Sequence, residues 1–240
     1  MVQLAQTDIA NVAAAIGDPS RTKVLLALAD GRALPPSALA AEAGVSNSTI
    51  SGHLTKLMDA NLLTVERDGR HRYYRLATTE VAEALEHLAR IARPLPINSL
   101  RESTRTQALL QARLCYDHLA GRLGVGLMAA LLDRGILVND APAATEGAAR
   151  MRDASYRVTT MGQAALAEFI GNDVLPPRLT VRYCLDWAEQ RPHLAGPLGG
   201  ALTTRLFDLG WIRHGHARRV VKLTPAGLEG LRDTFGLASV

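Results

Sequence analysis

Apolar residues recur at helical spacing between positions 45 and 57, where Val45, Ile50, Leu54 and Leu57 mark one stripe. The positions around them are short and polar: Ser46, Asn47, Ser48, Thr49, Ser51 and His53. Hydroxyl and amide side chains compete with the backbone for hydrogen bonds and are poor choices inside a helix. The pattern therefore predicts a helix N-capped by Ser46 whose polar side faces a ligand. Just ahead, Pro36 to Ala43 predicts a short helix with Leu39 inward, and Gly44 supplies the tight turn between the two. Helix-turn-helix readers of the DNA major groove place short donors and acceptors at the start of their second helix.

The pattern then changes period. Leu62 to Arg67 alternates as a strand, Asp68-Gly69 signals a two-residue hairpin, and Arg72 to Ala77 returns with Tyr73 and Leu76 inward. Arg67, Arg70, His71, Arg72 and Arg75 cluster on this hairpin. Arginines at a hairpin tip suit phosphates or a minor groove. The candidate DNA contacts are Ser46, Asn47, Ser48, Thr49, Ser51, His53 and Lys56 on the helix, with Arg67, Arg70, His71 and Arg72 on the wing.

The second half repeats itself. Cys115-Tyr-Asp117 recurs as Cys184-Leu-Asp186, and His118-Leu-Ala-Gly121 as His193-Leu-Ala-Gly196. Leu127, Leu131 and Gly135 recur as Leu202, Leu206 and Gly210, and Val158-Thr-Thr-Met-Gly162 as Leu223-Thr-Pro-Ala-Gly227. The second copy carries an insertion, Trp187 to Pro192. Ordered recurrence over this length indicates a duplicated supersecondary unit. Each copy reads as helix, strand, loop, strand and Thr-capped helix. The expected fold is mainly α with small β-wings (α+β): a winged helix-turn-helix domain followed by two tandem degenerate winged-helix-like units. The expected boundaries are 1–93 for the reading and dimerisation domain, 94–98 for a Pro-containing linker, 99–171 for the second unit and 172–240 for the third. Residues 99–240 would form one sensor or scaffold domain.

The 240 residues leave room for two domains, and 48% of them are hydrophobic. The formal net charge of +4 is modest, and residues 1–90 hold nine Lys and Arg against ten Asp and Glu. Positive charge is therefore local to the wing, where phosphate contact needs it. Two cysteines make no secreted disulfide framework and suit a reducing cytoplasm. Membrane-length apolar runs and a signal-peptide core are not found, so a cytoplasmic protein is expected.

Three stretches together resemble the ArsR/SmtB family of winged-helix repressors. Ile16-Gly17-Asp18-Pro19-Ser20-Arg21 with Leu25-Leu26 resembles that family's opening motif. Ser51-Gly52-His53-Leu54 resembles its reading helix, and Gly69 to Leu76 its wing. The resemblance covers about the first ninety residues. It implies a homodimer, paired through Asp8 to Gly17 and Thr79 to Arg93, that reads an inverted-repeat operator in double-stranded DNA. It also implies metal sensing in some members. The stretch Leu34 to Leu39 lacks that family's paired cysteines, and Glu83, Glu86 and His87 lack the start of its other site and read as surface residues.

The second half offers its own sensor. Read as a helix, Cys115 and His118 share a face while Asp117 points elsewhere. One Cys and one His from each repeat, Cys115, His118, Cys184 and His193, form a ligand set that zinc or another thiophilic metal accepts. The same residues also fit buried core cysteines, each with a histidine bonded in a tight turn. Thiol-based redox or electrophile sensing is a third reading. Tyr116, Tyr183, Trp187, Trp211, Phe169 and Arg178 could line an organic-ligand pocket or serve as core. In the third unit Thr203, Thr204 and Arg205, with basic residues Arg213 to Lys222, leave DNA contact open, whereas the glycine-rich helix of the second unit reads as packing. Phosphate loops, dinucleotide fingerprints and nucleophile elbows are missing, so no enzyme is expected. A DNA-binding scaffold for oligomerisation or partner binding is the alternative to a repressor released by a ligand, metal or redox signal.

Overall fold

The computed structural model describes residues 8–93, 99–140, 155–172 and 181–237. It separates into two compact units, Met1–Leu85 and Glu86–Val240. Residues 94–98, expected as a linker, and Arg178 lie outside the described residues. Among those described, the elements are helices and five two-stranded antiparallel sheets, and no helix is long and apolar enough to cross a membrane.

In the first unit α1 (Ile9–Ile16) leads to α2 (Pro19–Leu28). Asp18 caps α2, accepting from the backbone N–H of Ser20 at 3.0 Å and of Arg21 at 2.9 Å, with Pro19 at the first helical position. Helix α3 (Pro36–Ala43) ends at Gly44, whose φ of 72° lies in the left-handed region that glycine enters without strain. The turn delivers α4 (Asn47–Asp59), capped by the Ser46 hydroxyl on Thr49 N–H. Ile50, Leu54 and Leu57 are buried with Leu25, Leu28 and Leu39 of α2 and α3. Burying each such side chain stabilises by about 1.5–3 kcal/mol.

Strands β1 (Leu63–Asp68) and β2 (His71–Leu76) form the wing. Asp68 pairs with His71, so the two loop residues are Gly69 and Arg70, one position later than Asp68-Gly69. Tyr74 and Leu76 are buried and Tyr73 is only half-buried. The expected pair of Tyr73 and Leu76 fails because a strand alternates faces every residue, and positions three apart cannot share one. Tyr74 also exchanges two 2.9 Å backbone hydrogen bonds with Leu34, which seats the wing. Helix α5 (Thr79–Ile91) follows and runs across the boundary between the units.

The second unit holds α6 (Leu100–Gln111) and then two copies of one pattern. The first is β3 (Arg113–Cys115), β4 (His118–Ala120), α7 (Gly121–Asp133), β5 (Leu137–Asn139), β6 (Tyr156–Val158) and α8 (Thr160–Ile170). The second is β7 (Arg182–Leu185), β8 (Pro192–Ala195), α9 (Gly196–Asp208), β9 (Ile212–His214), β10 (Val221–Leu223) and α10 (Pro225–Phe235). Repeated residues do the same work in both. Thr159 and Thr224 cap α8 and α10 through the N–H of Gly162 and Gly227. A Cβ on Gly162 would lie 2.1 Å from the Ile136 carbonyl oxygen, and one on Gly227 2.0 Å from that of Trp211. Leu123, Leu127 and Leu131 share one core with Leu198, Leu202 and Leu206.

Candidate nucleic-acid interface and candidate metal centre

Ser46, Asn47, Ser48, Thr49, Ser51 and Lys56 are all exposed along α4. The Ser46 hydroxyl lies 2.8 Å from those of Ser48 and Thr49, so the first turn carries a linked cluster of donors and acceptors. Gly52 is exposed, with nothing within 4 Å of an added Cβ. Thr55, one turn on from Ser51, is exposed too. His53 behaves differently. Its side chain is 17% exposed, and Nδ1 lies 3.9 Å from Asp18 Oδ1, so it points back to the start of α2. On the wing Arg67, Arg70, His71 and Arg72 are exposed, while Arg75 is paired with Glu66. Arg67 stands directly across from Arg72 in the register. Like charges in that relation destabilise a hairpin, so an anionic partner would relieve them.

The four repeat-borne ligand candidates converge in the second unit. Cys115 pairs with His118 across one hairpin, and Cys184 with His193 across the other. The expectation of a helix at Cys115 to His118 is corrected: Tyr116 takes a φ of 62° and the chain reverses over Tyr116 and Asp117. Their donor atoms all lie within 4.8 Å of one another, and all four residues are buried. The two imidazoles stack with centroids 5.1 Å apart. A glycine of the opposite copy lies beside each histidine, and only at Gly199 is the fit tight. A Cβ on Gly124 would meet His193 Cβ at 3.6 Å, and one on Gly199 would meet His118 Cβ at 3.2 Å.

Asp117 does not point away, as a helix would require, but lies 3.1 Å from His118 Nδ1. Burial opposes charge on His118, yet the Asp117 carboxylate and then the nearby Cys115 sulfur prevail and raise its pKa to about 9. Burial, and then the neighbouring His118, lower that of His193 to about 3. The adjoining Cys184 thiol and burial push the Cys115 thiol well up. His118 Nε2 and both ring nitrogens of His193 are buried without a hydrogen-bond partner. Buried polar atoms are normally satisfied, so three orphans in one cluster call for a ligand. Zinc bonds to sulfur at about 2.3 Å and to histidine nitrogen at about 2.0–2.1 Å, and takes four such ligands tetrahedrally. A divalent ion with two thiolates and two neutral imidazoles carries no net charge, the state a buried site tolerates best.

A helix-turn-helix domain model matches residues 16–66. The HTH-type transcriptional regulator YdfF of Bacillus subtilis (strain 168) is 38% identical over 223 residues, 92% of this chain and 93% of that protein. The chain belongs to the ArsR/SmtB family of winged-helix transcriptional regulators. The HTH-type regulator CmtR of Mycobacterium tuberculosis (strain H37Rv) is 34% identical over 89 residues, 37% of this chain and 75% of that protein. The solution structure of that species' cadmium metal-sensor CmtR has a TM-score of 0.31, with 33% identity over 38% of this chain and 99% of that one. The similarity to YdfF thus runs through the duplicated half, whereas that to CmtR covers little more than a third of the regulator.

Function follows for the first unit: this is a DNA-binding transcriptional regulator. Several residues of the regulator sit elsewhere than expected. Glu86, read as a surface residue, is 4% exposed and ion-paired with Arg113 and Arg219. Its partners lie 27 and 133 residues away, which helical periodicity cannot reveal. Thr203 is buried, accepting from Leu119 N–H and donating to the Gly199 carbonyl, and Arg205 donates to the Phe169 carbonyl. Thr203 packs inward and Arg205 is half-buried, whereas Thr204 between them is exposed, so α9 is not purely a packing helix. The aromatic residues largely contact one another: Phe169 meets Trp211 and Phe235, and Tyr156 meets Tyr183. Gly52 and Thr55, between Ser51 and Lys56, share the exposed side of α4 with the candidate contacts.

Proposed function

We propose that this regulator is a dimeric repressor of an inverted-repeat operator, released when a thiophilic divalent metal, zinc by its chemistry, occupies Cys115, His118, Cys184 and His193. The observation that carries the reading is the set of four buried donors within 4.8 Å, three of whose nitrogens lack partners. Residues 1–93 read DNA and dimerise, 94–98 connect, and 99–171 with 172–240 together form the sensor. Ser46, Asn47, Ser48, Thr49, Ser51 and Lys56 meet base edges and phosphates, and Arg67, Arg70, His71 and Arg72 meet phosphates. His53 acts by fixing α4 against Asp18. The protein works in the cytoplasm and carries out no reaction of its own. The raised pKa of Cys115 keeps it a thiol until a metal displaces the proton, which argues against a free nucleophilic cysteine.

Native mass spectrometry of protein purified without added metal, then titrated with zinc, tests this. A dimer binding one zinc per chain is expected, with the metal lost in Cys115→Ser/Cys184→Ser. A dimer that ignores zinc refutes the metal reading.

A further inference from the structure

Both copies of Cys-x-Asp place a carboxylate behind a histidine, but the two aspartates have different surroundings. Asp117 is half exposed, and its bond is to its own histidine. Asp186 is fully buried, with Oδ2 4.0 Å from His193 Nδ1. That oxygen already accepts from Arg113 Nη2 at 2.9 Å and from Gly121 N–H at 2.7 Å, while Oδ1 is held by the N–H groups of Ala188 and Glu189. Two donors fill the two lone pairs of a carboxylate oxygen.

Arg113 is held unevenly: its guanidinium lies over the Trp187 ring at 4.6 Å and bonds Asp186 closely, but its remaining hydrogen bonds are weak. Its Nε has no partner, and its other bonds, to the Leu109 carbonyl at 3.4 Å and to Glu86 at 3.3 Å, are long. Glu86 stands on α5 and is gripped on its other oxygen by Arg219. Glu86, Arg113, Asp186 and Arg219 thus balance two negative charges against two positive ones with little water access. Such a cluster holds while every member keeps a partner.

We infer that Asp186 and Arg113 carry metal occupancy from His193 to Glu86 on α5, an inference that rests on the metal reading above. A metal on His193 Nε2 leaves Nδ1 as an N–H donor, and metal-bound histidines direct that donor to a carboxylate. Asp186 Oδ2 is the acceptor at hand. Accepting a third donor requires releasing one, and the Gly121 N–H is fixed by the backbone at the start of α7. Arg113 gives way and closes on Glu86. Asp186 is a positioning residue for the centre, and its buried surroundings make it the route outward that Asp117 is not.

Hydrogen exchange of α5 with and without zinc, together with zinc affinity by chelator competition, tests the relay on the full chain. In the wild type, saturating zinc should change the protection of amides 86–91. Glu86→Gln should bind zinc within about threefold of wild type yet lose that change. Asp117→Asn should weaken zinc by about 10–100-fold and, once saturated, keep the change. If the wild type binds zinc and α5 exchange does not respond, the relay is wrong and the metal reading stands. That measurement needs no variant to fold. Glu86→Gln retaining the zinc response would also overturn the relay. Failure of the wild type to bind zinc removes the metal reading and the relay with it.

Discussion

Replacing Arg70 and Arg72 by alanine isolates the wing. Arg70 is one of two loop residues, and Arg72 sits opposite Arg67, all three exposed. If each replaced arginine neutralises one phosphate, the slope of log affinity against log salt falls by about 0.9 per residue, or about 1.8 for the pair. Between 50 and 200 mM salt the variant should then lose about tenfold less affinity than the wild type. Folding should not suffer. Removing one of two like charges that face each other relieves about 0.2–1 kcal/mol of repulsion. The assay is fluorescence anisotropy with a labelled duplex of arbitrary sequence, because phosphate contact is independent of base identity. Urea unfolding is run alongside. An unchanged salt slope with a stably folded variant would remove the wing from DNA binding.

Three further outcomes follow from the same geometry. Zinc at about a thousand times its dissociation constant should stabilise the chain by about 4 kcal/mol, seen as a raised melting temperature; a Cys115→Ser/Cys184→Ser variant should not respond, and an equal response would contradict the site. Gly162→Ala and Gly227→Ala each drive a Cβ to about van der Waals overlap with a carbonyl oxygen and should destabilise by about 1–3 kcal/mol or more in urea; neutral substitutions would show that the turns relax. Backbone hydrogen bonds, first that from Arg21, hold the Asp18 carboxyl below its ordinary value of 3.8. A depressed folded pKa gives stability that is present above the unfolded value and lost as pH falls through the folded one, so Asp18→Asn should flatten the acid limb of the stability curve below about pH 4; an unaltered limb would refute the assignment.

The first unit was legible because its signals are local. Ser46 at the cap, Gly44 at the turn and Gly69 at the hairpin, where the loop fell one position later than read, each specify backbone within a few residues. Cys115 and His118 were misread because a spacing of three is ambiguous. It places two residues on one helix face, and equally at the two ends of a two-residue β-turn. Strands of three residues are too short to show alternation. The second copy held the answer, since Cys184 and His193 are nine positions apart and could not share a helical turn. The burial of Glu86 was not legible at all, because its arginines arrive from β3 and from the loop before β10.

The placing of each histidine beside the other copy's glycine has a consequence for how the protein meets its signal. Both halves of the four-donor cluster lie on one polypeptide, so dilution cannot part them. Their encounter is intramolecular, set by chain connectivity rather than by protein concentration. A cell with a handful of regulator molecules keeps as complete a cluster in each as a concentrated solution does. Covalent linkage has also freed the two halves to differ, one aspartate open to solvent and the other sealed among arginines. A symmetric pair of identical chains could not divide the labour in that way.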